Sequence, residues 1–196
     1  MLWLILAIVL WGVLHSLLAS TGIKDLVRRL YGNGLMKFYR LLYNLFAVIS
    51  FLPVLYLMIT LPDRALYRVS PPSDLLMRAG QGAALVLLIV AALQTDLLAF
   101  AGLRQLFQEE KPGSLITKGL YRFVRHPLYT FGLLVLWLSP KMSLNSFVVY
   151  AALTMYVFAG IIFEERKLLR EFGQDYANYR SATPMLIPGL NYIWNK

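Results

Sequence analysis

The stretch "GLYRFVRHPLYTFGLLVLWLSP", residues 119–140, sets Arg122, Arg125, His126 and Pro127 directly before a run of Tyr, Phe, Leu, Val and Trp. Proline suits the first turn of a helix, where its missing N–H costs nothing. The stretch therefore predicts a helix that begins at Pro127, with His126 as its cap. Its apolar run covers 127–139 and is closed by Ser139-Pro140. At helical rise this is about 20 Å, short of the roughly 30 Å hydrocarbon core of a bilayer. A second apolar segment, 143–163, follows at once. The two predict a short helical hairpin that enters a membrane from one face and turns within or near the other.

Working outward, three more apolar segments appear at 2–19, 41–61 and 79–101. Each is long enough to cross the core as a helix. The chain of 196 residues is 59% hydrophobic and only 15% charged, against about 25% charged in a soluble domain. The fold class that follows is an all-α integral membrane protein. It has about five transmembrane helices, a short fourth-fifth hairpin and a cytoplasmic C-terminal amphipathic helix.

Charge sets the expected orientation. The connections after the first and third segments and the tail after the fifth carry fifteen Lys and Arg, whereas the opposite face carries four: Arg64, Arg68, Arg78 and Lys141. The positive-inside rule then puts the N-terminus outside and the C-terminus in the cytoplasm. The net charge of +9 is a topology signal, and no nucleic-acid partner is needed to explain it. Met1 is followed by no basic stretch before the first apolar run, so that run is expected to be a retained span and not a cleaved leader.

Composition also removes several chemistries. With no cysteine, disulfides, thiolate nucleophiles and Cys-bound zinc are excluded. The only histidines, His15 and His126, lie far apart, and no metal site is expected. Gly32-Asn33-Gly34 has no preceding strand pattern and no third glycine, so it is no dinucleotide loop.

Polar groups inside spans are costly and are functional candidates by default. His15, Asn44, Gln94 and Asp96 all fall toward the basic side of their segments. For Asn44 and Gln94 the simpler reading is a hydrogen bond between helices. Asp96 has Arg104 nearby as a partner. Farther on, "IIFEERKLLREFGQDYANY" continues the fifth segment as an amphipathic helix. Glu171 and Asp175 suit its solvated face. Glu164 follows directly on Phe163 and should sit at the membrane boundary, facing the same pocket as the start of the fourth segment. There the free N–H groups of Leu128 and Tyr129 suit an anion, with Arg122 and Arg125 adding positive charge. Walls of both signs suit a zwitterionic or multiply charged small molecule.

Taken in order, "GLYRFVRHPLY", the short hairpin, "EERKLLREFGQDYANY" and "TPMLIPG" resemble the signature of the isoprenylcysteine carboxyl methyltransferase-like family of membrane enzymes. The resemblance covers residues 114–189, and the wider clan includes phospholipid N-methyltransferases. "HSLLAS" and "TDLLAFAGLRQLF" further resemble the branch with methanethiol S-methyltransferase and NnrU-like proteins. The resemblance implies a methyltransferase that uses S-adenosyl-L-methionine without a Rossmann fold. It implies cofactor contacts from Gly113, Ser114, Leu115 and Ile116, then Tyr121, then His126, Pro127, Leu128 and Tyr129, and finally Glu164. The family's preceding glutamine matches either Gln105 or Gln108.

On this reading 1–196 is a single membrane domain, with three N-terminal transmembrane helices in 1–101 and a catalytic, cofactor-binding part in 102–196. The acceptor is expected to be a small thiol or a lipophilic molecule reached from the bilayer, here a bacterial inner membrane. No general base emerges; His15 and Asp96 are the available candidates. Where the eukaryotic carboxyl methyltransferases keep an arginine four residues before the cofactor glutamate, this chain has Gly160, which argues against prenylcysteine. Two other readings compete: an NADPH-dependent sterol-reductase-like enzyme, and a non-catalytic NnrU-like membrane protein.

Overall fold

The computed structural model describes residues 1–107 and 114–190. Four of its helices are long and apolar enough to cross a membrane: α1 (Leu2–Ala19), α2 (Thr21–Thr60), α3 (Ser73–Leu93) and α7 (Leu144–Ala182). Between α3 and α7 come α4 (Leu97–Ala101), α5 (Arg104–Phe107), a 3-10 turn at Gly119–Arg122 and the short apolar α6 (Pro127–Trp137). Large apolar side chains stand on the outside of the long helices: Trp3, Ile59 and Leu76 are 69, 75 and 76% exposed. In water such surface would be a liability; against lipid it is what a span requires.

The expected segments are present, with changes of boundary in the second and third. The second helix begins at Thr21, because Thr21–Tyr31 is itself helical and joins the span across Gly32. Gly32 has φ 73° and ψ −177°, a conformation that a side chain would strain, and it breaks the helix there. The third helix ends at Leu93 and not at 101. Gln94 and Asp96 therefore lie beyond it, and Asp96 caps α4 by accepting from the Ala99 amide at 3.0 Å. In the loop on the sparsely charged side, β1 (Ala65–Arg68) pairs with β2 (Lys141–Ser143). This small sheet adds to the helical architecture.

The chain divides into two compact units. One contains α1, α2, α4, α5 and the first turns of α7. Its α1–α2 packing buries Leu4, Ile8 and Val54. At one end Asp63 accepts from the Asn145 amide at 3.0 Å, and the Asn145 side chain donates to Leu61 O at 3.2 Å. The other unit contains α3, the 3-10 turn, α6 and α7 from Leu153 onward. There α6 packs along α3, with Gln81 donating to the Val135 carbonyl at 2.7 Å.

Helix α7 does not run straight to its end. Gly173, at φ 54° and ψ −125°, breaks it, again in a region that favours glycine. Beyond the break the chain folds against the start of α6. The amides of Arg125 and His126 donate to Pro184 O and Met185 O at 2.8 and 3.2 Å, and the Thr130 hydroxyl donates to Leu186 O at 2.8 Å. The C-terminal segment is thus strapped to the Arg-His-Pro sequence by main-chain bonds.

Candidate functional site

The start of α6 is built as its sequence predicts. Pro127 occupies the first turn, His126 is the cap, and the first amide bonded within the helix is that of Thr130, to His126 O at 3.0 Å. His126 lies between two adjacent glutamates of α7. Its Nε2 is 3.3 Å from Glu165 Oε1 and its Nδ1 is 3.7 Å from Glu164 Oε2.

The two glutamates have different surroundings. Glu165 is buried among cations. Arg125 Nε and Nη2 reach its Oε1 at 2.8 and 2.7 Å, and Arg180 Nε lies 3.5 Å from its Oε2. Arg125 Nη1 donates to the carbonyls of Arg180 and Thr183 at 2.9 and 2.5 Å. A buried ion pair needs such additional bonds to offset desolvation. Arg125 is therefore committed to Glu165, which corrects the expectation that it adds free positive charge for an anion. Sequence reasoning passed over Glu165 because nothing in its spacing signals a partner forty residues upstream.

Glu164 is the open one. Its side chain is 42% exposed, against 11% for Glu165. It accepts from the Tyr129 hydroxyl at 3.0 Å, and its Oε1 has no hydrogen-bond partner among the described residues. Tyr121 stands within electrostatic reach: burial, and then the negative charge of Glu164, push its phenol up to about 12. That hydroxyl stays neutral at physiological pH. Tyr121, His126, Pro127, Tyr129 and Glu164 thus lie near one another.

The turn that presents Tyr121 is held from two sides. Gln94 Oε1 accepts from the Leu120 amide at 2.8 Å, and the Tyr179 hydroxyl donates to Tyr121 O at 2.5 Å. Neither was legible as a site residue. Gln94 fitted a bond between helices, and its actual partner is the backbone of this turn.

The other candidates are placed as follows. Ser114 is exposed and Leu115 and Ile116 are half-buried, in a stretch with no regular structure that belongs to the same unit. Gly113 and Gln108 fall outside the described residues. Gln105 is buried in α5, where its amide donates to Ala99 O at 3.1 Å and its Oε1 has no partner among the described residues. Asp96, besides capping α4, pairs with Arg104 at 2.5 Å. His15 accepts or donates at 2.7 Å with the Tyr43 hydroxyl and stacks on Trp11. Gln105, Asp96 and His15 belong to the first unit. No group of three metal-binding side chains occurs among the described residues.

Comparison with known proteins bears on the family. The chain is 38% identical over 108 residues to a methanethiol S-methyltransferase of Crocosphaera subtropica, covering 53% of this chain and 42% of that protein. It is 42% identical over 94 residues to methanethiol S-methyltransferase 2 of Bradyrhizobium diazoefficiens, covering 45% and 36%. A protein-S-isoprenylcysteine O-methyltransferase of Schizosaccharomyces pombe is 35% identical over 85 residues, covering 41% and 36%. These matches span less than half the length of each relative, and no solved structure matches the chain. The family described as phospholipid methyltransferase matches residues 77–175, from α3 through both glutamates, and over this half of its length the chain belongs to that family.

Proposed function

We propose that this protein is a multi-pass membrane methyltransferase that uses S-adenosyl-L-methionine and acts on a small thiol. The relatives named as methanethiol S-methyltransferases support the reaction class. The observation that carries the assignment to this chain is Glu164, a half-exposed carboxylate with one oxygen unspent, beside the Tyr121 and Tyr129 phenols. When bound, the cofactor supplies an electrophilic methyl on a sulfonium. Glu164 suits its ammonium or ribose hydroxyls, and the tyrosine faces suit a cation. Leu128 and Tyr129 offer amides at the helix start for its carboxylate. The residues present fit the group. The part from residue 102 onward is the cofactor-binding part in this reading, with Ser114 to Ile116 and Gly113 completing the contacts.

A thiolate needs no base at the moment of transfer, so positioning and exclusion of water account for most of the catalysis. Neither His15 nor Asp96 is assigned a proton-transfer role. An acceptor without a carboxylate is supported by Gly160 and Gly132. Counted at roughly 100° per residue from the bonded Tyr129 and Glu164, these glycines fall on one flank of the α6–α7 pair. Trp137 and Thr154, bonded to each other at 3.0 Å, fall on the other flank. A Cβ at either glycine meets nothing within 4 Å. A carboxylate carried into that apolar flank without a partner would be costly, whereas a neutral thiol would not.

The fivefold-spanning topology, with the N-terminus outside, the tail in the cytoplasm and a bacterial inner membrane as location, completes the reading. It rests on the fifteen-to-four charge asymmetry. Membranes containing the protein should transfer labelled methyl to small thiols faster than to farnesylcysteine. Base-labile methyl ester on a prenylcysteine, with no thioether from any thiol, would overturn the acceptor. Saturable binding of NADPH and none of S-adenosylhomocysteine would overturn the reaction class.

A further inference from the structure

A second feature lies in the first unit, away from any residue assigned to methyl transfer. The Gly32 break folds the short helix Thr21–Tyr31 against the end of α1 and the long part of α2. Between them is a groove of about 270 Å³, walled by Leu18 of α1, Val27 and Tyr31 of the short helix, and Leu35, Leu42 and Phe46 of the long part. Tyr39 and Tyr43 also line it, but their hydroxyls are already used: Tyr39 donates to Leu18 O at 2.7 Å, and Tyr43 bonds His15. The groove therefore presents ring faces and methyl groups, with almost no polar surface.

The same short helix is amphipathic. Ile23, Leu26, Val27, Leu30 and Tyr31 recur at helical spacing, and Lys24, Arg28 and Arg29 stand between them, with Asp25 the only acid. Arg28 pairs with Asp25 at 3.2 Å, and the helix keeps a net positive charge. A basic amphipathic helix of this kind lies in the headgroup region, where each cation attracts anionic lipid. We propose that the groove holds one acyl chain of an anionic phospholipid, whose phosphate is met by the basic side of the short helix. Charge complementarity selects this occupant over a zwitterionic lipid, and the apolar walls select a chain over a headgroup. The proposal is independent of the methyltransferase reading.

The test is made on the full chain in nanodiscs of phosphatidylcholine containing a minor fraction of phosphatidylglycerol. Native mass spectrometry then counts and identifies the lipids that leave with the protein. Wild type should retain phosphatidylglycerol in preference to phosphatidylcholine. Val27→Trp, which fills the groove, should abolish the retained lipid. Neither Lys24 nor Arg29 lines the groove, so the double variant Lys24→Gln with Arg29→Gln leaves its walls in place. It should keep a lipid but lose preference for the anionic one by about fivefold for each cation removed. Equal retention of both lipids by wild type and the double variant would overturn the proposal, whatever Val27→Trp does to folding. So would a dimer of wild type that Val27→Trp splits, since the groove would then be a contact between copies.

Discussion

Glu164 and Glu165 are adjacent in sequence, yet they serve two sides of the second unit. On one side Glu165, Arg125, Arg180 and the main chain of residues 183–186 form a closed, bonded cluster around His126. On the other, Glu164 meets, among the described residues, Tyr129 and a distant His126 nitrogen, and is nearly four times as exposed. The first side resembles a buried structural ion pair, and the second keeps a carboxylate available. One helical residue step, about 100°, separates scaffold from candidate chemistry. The sharpest way to break this comparison is to move charge on each side separately.

The largest effect is expected on the closed side. Glu165→Leu leaves Arg125 buried without its carboxylate, which should cost about 3–5 kcal/mol. The measurement is thermal unfolding of the purified protein, or its yield if it no longer folds. Wild-type stability would mean that the cluster is not what holds the C-terminal segment. Arg125→Lys should fall on the same side, since a single ammonium cannot reproduce the fork to Glu165 and the two carbonyls.

A smaller effect is expected at the turn. Gln94→Leu leaves the Leu120 amide without its acceptor, at about 1 kcal/mol. The loss should appear as weaker binding of S-adenosylhomocysteine through the displaced Tyr121. Gln94→Glu retains an acceptor oxygen and should restore binding. If both variants bind like wild type, the turn is set by Tyr179 alone.

The smallest effect concerns alkaline pH. The Tyr121 phenol is raised from its usual 10 to about 12, by burial first and Glu164 second. The folded state thus holds this proton more tightly than the unfolded chain. Its contribution is complete below pH 10 and is lost as pH rises toward 12. Tyr121→Phe should flatten part of the stability loss in that window. An unchanged alkaline limb would mean that the Tyr121 phenol is less buried than described.

Much of this was legible from residues. The positions of α1 and α6, the role of Pro127 and the approach of Glu164 to the start of α6 follow from apolar length, proline chemistry and the end of the fifth segment. What was not legible depends on long-range pairing. The third helix stops at Leu93 because the Asp96 side chain caps α4 and Gln94 turns to the Leu120 amide, a competition that hydropathy does not register. The pairing of Glu165 is not legible either, because Arg125 lies forty residues upstream and Arg180 lies beyond the Gly173 break. The charge on Arg125 was counted as free for the same reason.

The central claim is that the open glutamate, and not its neighbour, faces the cofactor. Titration of purified wild type and Glu164→Gln with S-adenosylhomocysteine, alongside their melting curves, tests it most directly. The account predicts that Glu164→Gln melts like wild type and binds about ten- to a hundredfold more weakly, the loss of one charge-assisted hydrogen bond. Wild-type affinity in Glu164→Gln, or a melting loss as large as that of Glu165→Leu, would contradict it.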